Sequence, residues 1–220
     1  MLDIVRLTTG VLLLSYASYT DWKSRKVDNK IWIIMGLCGV ILIPLSDFDI
    51  WIFLPIITMT VIAFIIYILN MFGGADIKAI IAISILVPLW PELELIPYYS
   101  SLYFFPLVIF INSLILFLAI PFYYFIYNIT KRNCEWPYCF LGYKMNAKKA
   151  KNKHVWPMET IQNGEYIKTI LPAKNQKIED FGNKMIWVTP KIPFIIPLLA
   201  GFIISFILGD ILSLAWKLIT

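Results

Sequence analysis

The chain is 220 residues long, 60% hydrophobic and only 15% charged, with a net charge of +5. A soluble domain of this size cannot hide so much apolar surface, because too little of a small domain is interior. Nor does the excess of base point to nucleic acid, since Lys and Arg are mostly confined to two loops flanking apolar stretches, as membrane topology requires.

The first apolar run, IVRLTTGVLLLSYASYT, ends before Asp21. It has no short apolar core followed by a small-residue cleavage site, so it reads as a retained helix. A charged loop, DWKSRKVDNK, leads to a second span, IWIIMGLCGVILIPL, and the acidic loop SDFD leads to a third, IWIFLPIITMTVIAFIIYILNMF. The fourth segment starts at Asp76 and runs to about Trp90. It is short for a full crossing, so its outer end belongs in a thinned or protein-lined region. After the turn PELELIPYYSS, a fifth segment covers Leu102 to Asn128, and the sixth is IPFIIPLLAGFIISFILGDILSLAW. Residues 131–190 between them are polar. EYIKTIL and KMIWVTP there have the composition of short strands, with NG and FGN as turn signals. The expected fold is an all-α polytopic membrane protein of six transmembrane helices. Helices one to five occupy 1–130, a small cytosolic α+β or mainly β insert occupies 131–190, and helix six occupies 191–220.

One side of this arrangement receives Lys23, Arg25, Lys26, Lys30, Lys78 and twelve Lys or Arg between Lys131 and Lys191. The other receives Arg6 and Lys217, with acidic Asp47, Asp49, Glu92 and Glu94. That bias places the basic side in the cytoplasm of a multi-pass plasma-membrane protein and both termini outside. The lysine-rich stretch KKAKNKH reads as a solvated face or a contact with anionic headgroups of the bilayer. The three cysteines, Cys38, Cys134 and Cys139, do not form a disulfide framework. Cys134 and Cys139, five apart with His154 further on, lack the four closely spaced ligands of structural zinc and read as reduced thiols, so no metal is expected.

The stretch FGGADIK, residues 72–78, places a carboxylate at the mouth of an apolar segment. Such a group is costly there and invites a functional reading, although an Asp at a helix N-terminus is also a common cap. Topology puts Asp76 and Asp21 at the same cytoplasmic depth, each at a helix end. Two facing carboxylates share a proton, so one can act as general base on water while the other polarises a peptide carbonyl. The helix dipole favours an anion at Asp76, where a helix begins, and disfavours it at Asp21, where one ends. This casts Asp76 as base and Asp21 as acid, with Lys23, Arg25 and Lys26 acting in the opposite sense. Taken alone, Asp21 also fits an interfacial charge balancing its basic loop.

Three pieces of the chain carry a resemblance: DWKSRKVDN (Asp21 to Asn29), GGADIK (Gly73 to Lys78) and PFIIP (Pro193 to Pro197). In this order and at these helix positions they resemble the archaeal preflagellin peptidases of the type IV prepilin peptidase clan, the GxGD aspartyl membrane proteases. The resemblance implies that Asp21 and Asp76 are catalytic. Gly73 and Gly74 would let helices approach closely and the chain turn. Ala75 stands where the family pattern has a third small residue, Gly. Lys78 matches a basic position of the pattern and equally fits an ordinary snorkelling lysine. Pro193 and Pro197 either kink the start of helix six beside the site or mark its first turn. The substrate so implied is a preflagellin or pilin-like precursor with a short basic leader and a hydrophobic helix, cut at the cytoplasmic face. Asp28, Glu135, Glu159, Glu165, Glu179 and Asp180 are available to attract such a leader, or are simply solvated.

Bacterial members of the clan carry a long cysteine-containing loop between their first two helices and also methylate the new N-terminus. Here that loop is short, and no glycine-rich fingerprint for S-adenosylmethionine is present, so protease activity without methyl transfer, and without a cofactor, is expected. Two rival readings predict different features. A presenilin-like protease would have more helices and deeper aspartates. A small cation- or proton-coupled transporter would bind its ion at Asp21 and Asp76, and transporters tend to show internal repeats with broken helices.

Overall fold

The computed structural model describes residues 1–46, 49–69, 71–92, 103–162 and 164–219. Asp47, Glu94, most of the PELELIPYYSS turn and Asn163 of the NG turn lie outside them. The chain divides into a helical unit, Met1–Phe117 with Pro193–Thr220, and a second unit, Leu118–Ile192.

In the helical unit, α1 (Leu2–Ser24) runs three residues past Asp21, and Arg25 ends it in the left-handed conformation with φ 56°. Its loop to α2 (Asn29–Leu42) is only Arg25 to Asp28, and the Asp28 carboxylate caps α2 by accepting from the Lys30 N–H at 3.0 Å. A 3-10 turn, Ile50–Ile52, leads into α3 (Phe53–Ile68), and α4 (Gly74–Leu86) follows. Next comes α5 (Phe105–Thr130), whose last turns belong to the second unit. The helical unit closes with α8 (Ile195–Leu208) and α9 (Ile211–Ile219).

Among the described residues, six membrane-length helices are not shown. Two, Ile50–Ile68 and Phe105–Thr130, are long and apolar enough to cross a membrane, and the pair α8–α9 makes a third if its 49° bend is counted within one span. At 1.5 Å per residue, α2 and α4 are each about 20 Å long, against a hydrocarbon core of about 30 Å. For α4 the reason is packing. It is buried nearly all round, with Ile77, Ile80, Ile83 and Leu86 among its core residues, and it lies against α2 and α3. A helix apolar on every face serves as an interior element and need not match the bilayer. Gly39 permits this closeness, since a Cβ there would stand 2.5 Å from the Ile85 carbonyl oxygen.

The sixth segment, read as continuous, is broken. Gly209 leaves α8 with φ 73°, and Asp210 caps α9 by accepting from the Leu212 N–H at 3.0 Å and the Ser213 hydroxyl at 2.7 Å. The fully buried Asn112 of α5 seals the break. Its Nδ2 donates to Ser205 Oγ and to the Gly209 carbonyl, both at 2.8 Å, and its Oδ1 accepts from the Ile211 N–H. Near the start of α1, buried Arg6 donates to Asp3 at 3.0 Å and to the Leu42 carbonyl and Ser46 hydroxyl of the α2 end.

The second unit is built on an antiparallel sheet in the order β1 (Tyr143–Asn146), β5 (Met185–Pro190), β2 (Val155–Pro157). Tyr143 faces Val188, and Val155 faces Pro190. A hairpin, β3 (Glu159–Gln162) with β4 (Glu165–Lys168), accompanies it, so both expected strands are present. The alternation of β5 serves two cores. Ile186 and Val188 pack with α7 (Ala147–Ala150) and Phe181, while Trp187 packs with α6 (Tyr138–Leu141) and Phe125 of α5. Buried Asn128 ties α6 to α5 by donating to the Cys139 and Gly142 carbonyls.

Candidate active site

Asp76 is the third residue of α4, in its first turn. Its Oδ2 accepts from the Gly73 N–H at 3.0 Å, so its carboxylate satisfies one of the amides that a helix start leaves unpaired. The cap and the costly acid are therefore one and the same side chain. The remaining oxygen stays available at a half-buried position. Gly73 and Gly74 differ in their surroundings. A Cβ on Gly73 would meet the Asp76 carboxylate at 3.3 Å, and one on Gly74 would meet nothing within 4 Å among the described residues. Ala75 follows, half-buried against the helical core.

Asp21, also half-buried, lies one turn before the end of α1. Its helix packs against α4, the helix that Asp76 opens, and Arg25 follows it by one turn, donating its N–H to the Asp21 carbonyl at 3.0 Å. Two further contacts hold α1, α4 and α8 at this end. The Ser18 hydroxyl, one turn before Asp21, donates to the Ile195 carbonyl at 3.4 Å. Phe194, next to Pro193, packs its ring 4.2 Å from that of Phe72, the residue before Gly73. Phe110 and Phe117 of α5 surround the same ring at 6.2 and 5.6 Å. Pro193 precedes α8 and Pro197 falls in its first turn, so the two prolines mark a helix start. Lys78 is not a free snorkelling cation. Its Nζ donates to Asn29 Oδ1 at 2.7 Å, joining the first turns of α4 and α2. All three sequence pieces thus meet at one end of the helical unit.

Residues 8–126 match the type IV leader peptidase family. The chain belongs to this family. Residues 135–211 match the archaeal peptidase A24 C-terminus type II. A preflagellin peptidase of Methanococcus maripaludis is 32% identical over 91% of this chain and 94% of its own. Preflagellin peptidases of Methanococcus voltae and Methanocaldococcus jannaschii are each 29% identical, over 91% and 94% of this chain and 94% and 95% of their own. The resemblance read from the three pieces is borne out, and the chain is an aspartic endopeptidase with membrane helices.

Sequence reasoning missed the contacts that join the pieces. Phe72 and Asn29 stand within the quoted stretches and Ser18 just before one, and nothing in their spacing pairs them with Phe194, Lys78 and Ile195. The acids of the peptidase's insert are mostly engaged. Glu135 accepts from Lys144, from Lys168 and from Trp187 Nε1, and the two lysines hold its carboxyl down at about 2. Buried Glu159 accepts from the Trp187 N–H at 2.9 Å, Glu179 pairs with Lys151 at 3.6 Å, and Asp180 accepts from Gln176. Glu165 is exposed on β4. Burial and the neighbouring Cys134 thiol push Cys139 up to about 11, which keeps it a thiol at neutral pH. Exposed His154 uses its carbonyl to accept from the Lys191 N–H, and among the described residues no group of three or more His, Cys, Asp or Glu is placed to hold a metal.

Proposed function

We propose that this peptidase removes the short, positively charged leader of a preflagellin or pilin-like precursor at the cytoplasmic face of the plasma membrane, using Asp21 and Asp76 to activate water. The observation that carries the mechanism is the packing of α1 against α4, which brings together the helix ends that bear these two carboxylates. Close carboxylates cannot both ionise easily, so the pair holds one proton between them and titrates as a unit. The Gly73 N–H and the start of α4 favour charge at Asp76, and Arg25 is the cation one turn beyond Asp21 on α1. The charged member takes a proton from water, and the oxygen attacks the scissile carbonyl carbon. The protonated member donates to the carbonyl oxygen. Collapse of the tetrahedral species breaks the C–N bond as the amine takes up a proton.

The excess of Lys and Arg on the loops that join α1 to α2 and α5 to α8 supports a cytoplasmic insert, with both termini outside. The same rule holds a basic leader in the cytoplasm, where the hydrophobic helix of the substrate begins at the membrane surface. The loop between α1 and α2 is four residues, Arg25 to Asp28, too short to form a methyl-transfer domain, so the new N-terminus leaves unmethylated. Purified peptidase in lipid vesicles, given a leader-bearing precursor and S-adenosylmethionine, should release the leader and leave a free amine, read by mass spectrometry. An uncut precursor or a methylated product would contradict the proposal.

A further inference from the structure

The second unit has an apolar edge that its own two cores leave uncovered. Phe122, Ile126 and Ile129 are all exposed and, spaced four and three apart, form one stripe along the last turns of α5. Phe125 stands beside this stripe and stacks on Phe140 of α6, with ring centroids 4.3 Å apart and planes 11° from parallel. Trp136 sets its ring edge-on to Phe140 at 5.4 Å and is nevertheless 79% exposed. The indole is thereby held beside a helix section one to two turns from the helix end, not out in the polar part of the insert. A second exposed pair, Ile170 and Leu171, lies on the neighbouring loop, which Lys168 ties to Glu135 and to the Tyr138 ring.

Charge identifies what covers this edge. Lys131 and Arg132 follow the stripe directly and are exposed, whereas the adjoining carboxylate, Glu135, is engaged by Lys144 and Lys168. The edge is therefore apolar with a cationic border. The stripe lies on the last turns of α5, a helix of 26 residues. At 1.5 Å per residue that is about 39 Å, longer than a hydrocarbon core of about 30 Å, so its final turns reach the headgroup layer. Aromatic rings with cations beside them settle at that depth, where the ring is half in hydrocarbon and the charges meet anionic headgroups.

We infer that the edge formed by Trp136 and the Phe122–Ile126–Ile129 stripe, bordered by Lys131 and Arg132, rests in the headgroup layer of the bilayer and binds anionic lipid. The insert is then a membrane-seated unit, held at a fixed depth by Trp136. This rests on α5 crossing the membrane and not on the leader-peptidase chemistry.

The test uses the full chain with Cys38→Ser and Cys134→Ser, a bimane label at Trp136→Cys, and vesicles of phosphatidylcholine with or without phosphatidylglycerol. Nitroxides on the lipid headgroup and upper acyl chain serve as quenchers. The control label is at Lys149→Cys, on α7, which packs with the core on the other side of β5. Quenching at 136 should be several-fold stronger than at 149, and should weaken without phosphatidylglycerol or with Lys131→Gln and Arg132→Gln. Equal, weak quenching at the two positions would overturn the inference. So would efficient thiol cross-linking of position 136 between two copies of the chain, which would make the edge a protein interface. Quenching indifferent to phosphatidylglycerol would overturn the anionic preference. Leader cleavage by the labelled protein, assayed separately, reports on the peptidase reading.

Discussion

In the helical unit the charged side chains stand at helix ends. Asp3 and Arg6 lie at one end of α1 and Asp21 at the other, and Asp76 and Lys78 lie in the first turn of α4. In the second unit a carboxylate away from any helix end, Glu135, accepts from three side-chain donors, Lys144, Lys168 and Trp187. The difference follows from the backbone. A helix leaves unpaired amides and carbonyls only at its termini, so a polar group in an apolar bundle finds partners there and almost nowhere else. A sheet brings side chains of several strands side by side, and a carboxylate beside it can be held by side chains alone.

If that contrast is right, apolar packing governs the helical unit, and its largest loss comes from Phe194→Ala. The ring is buried at 2% exposure among Phe72, Phe110 and Phe117, and its removal should cost about 3 kcal/mol of stability, read by thermal unfolding in detergent. An unchanged midpoint would mean that the PFIIP and FGGADIK pieces do not pack as described. Next comes Gly39→Ala. A Cβ 2.5 Å from the Ile85 carbonyl forces α2 and α4 apart, at a cost of about 1–3 kcal/mol by the same measurement. Smaller again is Lys78→Met, which leaves Asn29 without its partner at an exposed site and should cost about 1 kcal/mol.

How far these features could be read from the sequence depended on whether their signal was local. Both aspartates, the three pieces and the strands β4 and β5 announce themselves in short windows of residues. So did the break at Gly209–Asp210, where a Gly, an Asp cap and Ser213 are consecutive signals that hydrophobicity on either side obscured. Helix lengths were not legible, because apolar composition does not distinguish a lipid-facing span from a short interior helix such as α4. Nor were Ser18–Ile195 and Phe72–Phe194, which join residues more than a hundred positions apart. Glu135 was read only as one acid among six, since its partners Lys144, Lys168 and Trp187 come together through the sheet.

The smallest effect tests the insert. The carboxyl of Glu135 sits near 2 in the folded protein, below its ordinary value of 4.5. A depressed carboxylate stabilises the fold above the ordinary value, and that contribution is lost as pH falls from about 4.5 towards about 2. The side chain is 38% exposed, so solvent screens much of it. Hydrogen exchange of β1 and β5 in the full protein should therefore quicken modestly across this window, and Glu135→Gln should remove the dependence. An identical acid response in the variant would show that Glu135 is not the group responsible.

The central claim is that Asp21 and Asp76 act together on one water. It is tested by cleavage of a leader-bearing precursor in vesicles by the wild type, Asp21→Asn and Asp76→Asn. Both replacements nearly preserve shape, so each should leave a folded protein and lower the rate by about a thousandfold. Appreciable cleavage by either folded variant would contradict the account.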